Sequence, residues 1–430
     1  MIDRHAGGLI SVRVPGDKSI SHRALILAAF GDGRSRIQGL ARGADVRSTA
    51  GALRALGAAQ ARVPDADEPI ELEGPVEFRD PDETIDCGNS GTTVRLLLGL
   101  IAGRPIRAAV DGDASLRRRP MARVVSPLRA AGARLSERGE PGHLPIEIRG
   151  GSLDAIEHVS SVASAQVKSA LLLAGLAARV PVAVTEPGPS RDHTELMLSA
   201  MGAEVDTRET GAGFRVHFPP VTRRLKPLRL TVPGDFSSAA YWIALAVLGG
   251  AGAGLRIEGV GLNPRRTGLL RALWAMGAEI GVEVTGEVAG EPVGCVTARP
   301  SELRGIPVPA DWVPMLIDEL PLLVCLAARA RGMTAITGAS ELRVKESDRL
   351  AVVHRGLTEL GVVSREQADG LEVEGNRAPL SGRVATEGDH RMAMSFGTLG
   401  AVPGNDIAVD DLGSVAISYP EFWEELARIR

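Results

Sequence analysis

Hydrophobic residues along this chain gather into six dense runs, separated by longer stretches in which polar and apolar positions mix or alternate. The runs are SISHRALILAAF from Ser19, NSGTTVRLLLGL from Asn89, SAQVKSALLLAGL from Ser164, DFSSAAYWIALAVLGG from Asp235, IDELPLLVCLAARA from Ile317 and DHRMAMSFGTLG from Asp389, with starts 70 to 82 residues apart. Each opens at or beside a Ser, Asn or Asp that can accept from the free N–H groups of a helix's first turn. Each then continues in small and branched aliphatics without a clear polar face. The pattern predicts six buried helices.

A second signature follows most of the runs: LRALGA, LRAAGA, LSAMGA, LWAMGA and LTELGV, ending in Gly57, Gly132, Gly202, Gly277 and Gly361. Glycine just past a helix's last turn supplies the left-handed backbone that closes it. Stretches such as EVDTRETGAGFRVHF and EIGVEVTGEVAGEPVGCVTA then alternate as strands and hairpins do. The repeating unit is of the βαβαββ type. Six such units exceed the roughly 20 to 50 residues of a solenoid repeat, so the expected architecture is α/β, with three units in each of two domains. The tetrapeptide VPGD begins at Val14 and again at Val232, 218 positions later, before the first run of each half. It places one domain at 18–232 and the other at 1–17 plus 233–430, with a hinge near 15–18 and 232–236 against which Phe236 packs.

A length of 430 residues suits two or three domains, at roughly 150 residues each. Three widely spaced cysteines, Cys87, Cys295 and Cys325, form no CxxC and suggest neither a disulfide framework nor a zinc site. The start MIDRHAGGLI has no basic segment leading into an apolar one, and no run of 18 apolar residues occurs. A cytoplasmic protein is expected. A net charge of -4 gives no general attraction to nucleic acid or membrane, and aromatics at 3% leave little for base stacking. An anion site must therefore be built locally from Lys and Arg.

Such residues cluster where the buried helices begin: Lys18, Ser19 and Arg23; Asn89, Gly91, Thr92 and Arg95; Ser164, Gln166 and Lys168. Free N–H groups and the positive end of the helix dipole favour bound anions there. DASLRRRPM adds Arg117 to Arg119 before Pro120, read as the first residue of a helix, and PSRDHTELML adds Arg191, Asp192 and His193. In ELRVKESDRL, Lys345 and Arg349 read as two like charges on one helical face, which is unfavourable unless an anion lies between them. Asp318 and Glu319 stand at the mouth of one apolar helix, where a general base could work, and Asp389, His390 and Arg391 at another. No GxSxG, HExxH or GxxxxGK[ST] motif is present. Many cations, a few carboxylates and no metal or nucleotide motif suit a polyanionic substrate and proton-transfer chemistry.

Taken together, VPGDKSISHRALILAAF, DCGNSGTTVRLL, RRRPM, SAQVKSALLLAGL, SRDHTELML, LRVKESDRL, DHRMAMSF and SYPEFWEEL resemble, in order and through nearly the whole chain, the 5-enolpyruvylshikimate-3-phosphate synthase family of enolpyruvyl transferases. The resemblance implies a two-domain inside-out α/β prism that closes on substrate. It also implies transfer of the carboxyvinyl group of phosphoenolpyruvate to the 5-hydroxyl of shikimate 3-phosphate, without any cofactor; no metal and a monomer are expected. Carried over by motif, Lys18, Ser19, Arg23, Ser164, Ala165, Gln166 and Arg191 would bind shikimate 3-phosphate. Gly91, Arg119, Arg349 and Arg391 would bind phosphoenolpyruvate, with Lys18 and Gln166 reaching both ligands. Asp318 and Lys345 would also bind shikimate 3-phosphate and handle the proton of its 5-hydroxyl, Glu346 would exchange a proton with the methylene carbon, and Lys18 would join this catalytic set. Three positions depart from one well-known branch: Ile417 replaces Lys, His193 replaces Tyr and Glu341 replaces Asn. The sister transferase acting on UDP-N-acetylglucosamine fits less well, because no cysteine stands near Arg119. A degenerate binding protein would have lost some of Lys18, Asp318, Lys345 and Glu346, and an RNA-phosphate cyclase would carry a nucleotide-linked His motif and a basic surface.

Overall fold

The computed structural model describes residues 2–4, 8–211 and 213–429. Met1 and His5 to Gly7, within the stretch read for a leader, lie outside the described residues, as do Ala212 and Arg430. The chain forms two compact α/β units. The amino-terminal unit comprises Gly16–Val232 with Val288–Glu291, and the carboxy-terminal unit comprises Met1–Pro15, Pro233–Glu287 and Pro292–Arg430.

Each VPGD contains a unit boundary, and its residues explain why the tetrapeptide is written twice. A Cβ on Gly16 would lie 1.8 Å from the Gly39 carbonyl oxygen, and one on Gly234 would lie 2.8 Å from Val14 Cγ2, so neither position has room for a side chain. The aspartates then cap helices: Asp17 Oδ1 accepts from the Ile20 N–H at 2.8 Å, and Asp235 Oδ1 from the Ser237 N–H at 3.0 Å. One peptide thus ends an extended segment and starts a buried helix in both halves. Phe236, next to the second copy, is fully buried in the core of the carboxy-terminal unit.

Among the described residues, the amino-terminal unit has three sheets and three long buried helices, Lys18–Ala28, Gly91–Ala102 and Ala165–Ala178. Its first sheet pairs Gly33–Gln38 antiparallel with Ile70–Gly74 and parallel with Arg229–Thr231, so the last strand of the unit completes the sheet begun by the first. Ile70–Gly74 alternates buried and exposed residues, presenting one face to the helices and one to solvent. The second and third helices pack backbone to backbone where Gly99 and Gly103 meet Ala170 and Ala174.

The carboxy-terminal unit repeats the scheme, with three sheets and the buried helices Phe236–Val247, Leu320–Ala327 and His390–Gly400. Ile10–Arg13 pairs parallel with Leu255–Gly261, which ties the start of the chain into this unit. The terminal helix Phe422–Ile429 is anchored by aromatic packing, with Phe422 stacked on Trp242 at 5.4 Å and Trp242 Nε1–H donating to the Tyr419 hydroxyl at 3.1 Å. The five signature glycines Gly57, Gly132, Gly202, Gly277 and Gly361 all have left-handed backbone, with φ from 74° to 112°. Among the described residues no helix is long and apolar enough to cross a membrane.

Two local expectations are corrected. Pro120 is not the first residue of a helix: Met121 occupies the cap and the helix runs Ala122–Ala130. Lys345 and Arg349 do not share a helical face. Ser340–Val344 is a 3-10 turn, Lys345 is extended, and Asp348 caps a new helix, Arg349–Glu359, through the Ala351 N–H at 3.1 Å. The cap overrides the i,i+4 spacing by ending one helical segment and starting another between the two cations.

Candidate active site

Each unit gathers its own constellation where its buried helices begin. In the amino-terminal unit, Lys18 stands in the first turn of Lys18–Ala28 and donates to Asp45 at 2.9 Å. One turn on, Arg23 is buried, donating to Thr194 Oγ1 at 2.7 Å, to Ser169 Oγ at 2.8 Å and to the Ser19 carbonyl at 2.9 Å. Burial pulls its guanidinium down to about 10; Glu195 opposes that shift and nearby Arg191 adds to it. A buried arginine with a cationic neighbour and neutral hydroxyl partners is an anion site in waiting.

The next two helices are stitched together at their starts. Gln166 accepts from Arg95 Nη1 at 2.8 Å and donates to Thr92 Oγ1 at 2.9 Å. A Cβ on Gly91 would lie 2.6 Å from Arg95 Nη1 and 3.3 Å from Arg119 Nη1, so the glycine keeps open the approach to two guanidinium groups. Arg119 also donates to Asn89 Oδ1 and to Ser115 Oγ. Ser164 caps Ala165–Ala178, and its own N–H donates at 2.6 Å to Glu186, a buried carboxylate that also accepts from Ser190 Oγ at 2.7 Å. Fully buried Lys168 lies 3.2 Å from Glu186 and 2.8 Å from Glu195. The segments carrying Ser164 to Gln166 and Arg191 are therefore held by one buried ion cluster.

In the carboxy-terminal unit, Arg349 is 1% exposed and surrounded by carboxylates: Asp389 at 2.8 Å, Glu346 at 2.7 Å and Asp318 at 3.6 Å. Burial opposes its charge, but Asp389 and Glu346 outweigh burial and hold the guanidinium above its ordinary range. Burial likewise works to raise Asp389, yet Arg349 keeps that carboxyl below its usual range. Arg391 donates to the Asp318 carbonyl at 3.1 Å and lies 3.8 Å from the Asp318 carboxylate and 3.7 Å from Glu319. Asp318, Glu346, Arg349 and Arg391 thus converge, with Asp318 touching both arginines. Lys345 precedes Glu346 as the extended, half-buried residue that ends the 3-10 turn.

Two arginines capable of forked contacts, with carboxylates between them, can bind a small polyanion and move protons beside it. The family model for EPSP synthase (3-phosphoshikimate 1-carboxyvinyltransferase) matches residues 9–426. The chain belongs to the EPSP synthase family. It is 48% identical over 420 residues to a 3-phosphoshikimate 1-carboxyvinyltransferase of Gloeobacter violaceus, covering 97% of this chain and 96% of that one. It is equally 48% identical over 415 residues to the enzyme of that name from Xanthomonas axonopodis pv. citri, covering 96% and 92%. The solved EPSP synthase of Acinetobacter baumannii superposes with a TM-score of 0.82 at 38% identity, over 97% of this chain and 94% of that one.

The structure also shows residues that the motifs did not single out: Asp45, Ser169, Glu186, Thr194, Ser237 and Arg266. All are buried, and each is a hydrogen-bond or ion-pair partner of a singled-out residue or of Glu319. Partners distant in sequence leave no local signal; Arg266, in NPRRTG, precedes a helix as many surface arginines do. Of the three departures, His193 begins the helix His193–Ala200 and bonds through Nδ1 to buried Glu291. Glu341 lies in the Ser340–Val344 turn, and Ile417 ends the turn Gly413–Ile417.

Proposed function

We propose that this chain transfers the carboxyvinyl group of phosphoenolpyruvate to the 5-hydroxyl of shikimate 3-phosphate, releasing phosphate, and that it does so as a cytoplasmic monomer. This is the shikimate-pathway reaction that leads to the aromatic amino acids. The observation that carries the reading is the convergence of two buried arginines, Arg349 and Arg391, with the half-buried carboxylates Asp318 and Glu346, which joins anion-binding groups to groups able to exchange protons. The three buried, unpaired cysteines agree with a reducing compartment.

In the amino-terminal unit, Lys18, Ser19, Arg23, Ser164, Ala165, Gln166 and Arg191 bind shikimate 3-phosphate. Gly91 and Arg119 contact phosphoenolpyruvate, and Lys18 and Gln166 contact both substrates. In the carboxy-terminal unit, Arg349 and Arg391 bind the carboxylate and phosphate of the donor, for which a planar fork is better shaped than an ammonium. Asp318 and Lys345 relieve the 5-hydroxyl of its proton as its oxygen bonds to C2 of the donor, while Glu346 supplies a proton to C3. Glu346 then takes a proton back from C3 as the C2–O bond to phosphate breaks, restoring the double bond and its own starting state.

The test is phosphate release from purified protein given phosphoenolpyruvate with shikimate 3-phosphate, and separately with UDP-N-acetylglucosamine, beside Lys18→Met. Release with the first acceptor alone, lost in the variant, is expected. Silence with both acceptors from folded protein would overturn the reading.

A further inference from the structure

Behind Arg391 lies a second buried cation that the proposed chemistry does not use. Arg266 is 3% exposed, precedes the helix Gly268–Ala275, and reaches three groups at the start of two other helices. Its Nη1 donates to Glu319 Oε1 at 2.8 Å, and its Nη2 donates to Asp235 Oδ1 at 3.2 Å and to Ser237 Oγ. Arg391 Nη1 donates to the same Ser237 oxygen at 3.0 Å. The Ser237 hydroxyl in turn donates to Glu319 Oε1. A serine hydroxyl has one proton and two lone pairs, and here all three are committed, to Glu319, Arg266 and Arg391. Rotating the hydroxyl away from any one partner breaks its geometry with the other two.

The charges make the same connection. Glu319 is 2% exposed and lies 2.8 Å from Arg266 but 3.7 Å from Arg391. Arg266 therefore takes the nearer place on this carboxylate, and Arg391 remains turned toward Asp318. Without Arg266, a buried carboxylate would be left with Arg391 as the cation 3.7 Å away, and burial makes an uncompensated charge costly. Glu319 would then compete with any incoming anion for Arg391.

We infer that Arg266 is a positioning residue for donor binding: through Glu319 and Ser237 it holds the Arg391 guanidinium free to grip the anionic groups of phosphoenolpyruvate. The inference rests on the reading of Arg391 as a donor ligand. It gives the Arg266, Asp235 and Glu319 cluster a specific duty beyond stabilising its unit.

The experiment is steady-state kinetics with each substrate varied in turn, on the wild type, Arg266→Gln, Arg266→Gln with Glu319→Gln, and Ser237→Ala. For Arg266→Gln, KM for phosphoenolpyruvate should rise about ten- to a hundredfold, as expected of a misplaced binding group, while KM for shikimate 3-phosphate stays within about threefold. Adding Glu319→Gln removes the competing carboxylate and should recover most of that loss. Ser237→Ala deletes only the shared oxygen and should shift the donor KM in the same direction with its melting temperature little changed, so the idea can be tested even if Arg266→Gln fails to fold. The inference is overturned if Ser237→Ala leaves the donor KM unchanged, if both KM values move in parallel, or if the Glu319 substitution fails to rescue a folded Arg266→Gln. A wild type that releases no phosphate would instead refute the proposed reaction on which the inference stands.

Discussion

Two glycines in helices should respond in opposite ways to the same added methyl group. A Cβ built on Gly99 would lie 2.0 Å from the Ala170 carbonyl oxygen and 2.9 Å from Ala170 Cα, both backbone atoms of the facing helix. A carbon and a carbonyl oxygen sit no closer than about 3.3 Å, so Gly91–Ala102 and Ala165–Ala178 must part by more than about 1 Å. Helix propensity favours alanine by about 1 kcal/mol. Against it, overpacking costs about 1 to 3 kcal/mol, and a gap of that width forfeits up to about half of each dispersion contact along the seam. Sterics win, and Gly99→Ala should lose about 2 kcal/mol net. At Gly51, in the helix Ala44–Ala55, the nearest atom to a new Cβ is Arg54 Nη2 at 3.8 Å. There propensity acts unopposed, and Gly51→Ala should gain about 0.5 to 1 kcal/mol. The same parting of helices would strain the bonds from Gln166 to Arg95 and Thr92 at 2.8 and 2.9 Å. KM for shikimate 3-phosphate should therefore rise about tenfold or more in Gly99→Ala and stay unchanged in Gly51→Ala. Urea unfolding and steady-state kinetics on both variants check this. A Gly99→Ala protein with wild-type stability and wild-type KM would refute the reasoning.

Other perturbations have equally definite signs. His22 is buried, hydrogen-bonded to Thr49 at 2.7 Å, and pushed well below its usual pKa by burial first and by Lys18 and Arg23 after it. Because the unfolded chain takes up this proton near pH 6.5 and the folded one does not, stability is flat above that pH and falls below it, by at most about 1.4 kcal/mol per unit. Between pH 6.5 and 5.5 the wild type should lose about 1 kcal/mol more stability than His22→Gln in urea titrations, and equal slopes would contradict it. In the Lys168, Glu186 and Glu195 cluster, Lys168→Met leaves two buried carboxylates without their cation and should cost about 3 to 5 kcal/mol. Glu186→Gln leaves one cation facing one carboxylate and should cost distinctly less, an order that denaturant midpoints can read directly. The thiol of Cys87 is pushed up to about 12 by burial, aided by Asp86 and Asp111, and burial raises Cys325 further. Native protein at pH 8 should resist a thiol-reactive dye at both positions, while denatured protein titrates all three cysteines.

Much of the fold is written locally. Capping aspartates in both VPGD copies, the glycines that close the amphipathic helices, and aliphatic runs without a polar face each act within a few residues, and the structure forms helices where they predict them. The misread stretch, ELRVKESDRL, fails for a local reason as well. Asp348 competes with helix continuation and wins, because a carboxylate satisfying the Ala351 N–H contributes about 1 kcal/mol, more than a charged octapeptide gains by extending an uncapped turn. Spacing alone could not reveal which of two allowed structures the cap would choose.

The candidate site is legible in a different way. Lys18, Arg349 and Arg391 stand in helix first turns, where sequence marks them, but the groups that make burial of the site's cations tolerable come from elsewhere in the chain. Arg349 depends on Asp389, 40 residues on, Arg266 on Glu319, 53 residues on, and Lys168 on Glu186 and Glu195. A guanidinium cannot be withdrawn from water to 1% exposure unless such partners exist. Each buried cation in a motif therefore implies an unseen carboxylate or hydroxyl, even though the sequence does not say where it lies. The same requirement ties binding to fold. On the proposed reading, the carboxylates beside Arg349 and Arg391 are the groups an incoming anion must displace or share, so affinity should depend on how firmly each is held by a second cation. Arg266 on Glu319 is the case in which that second cation can be named.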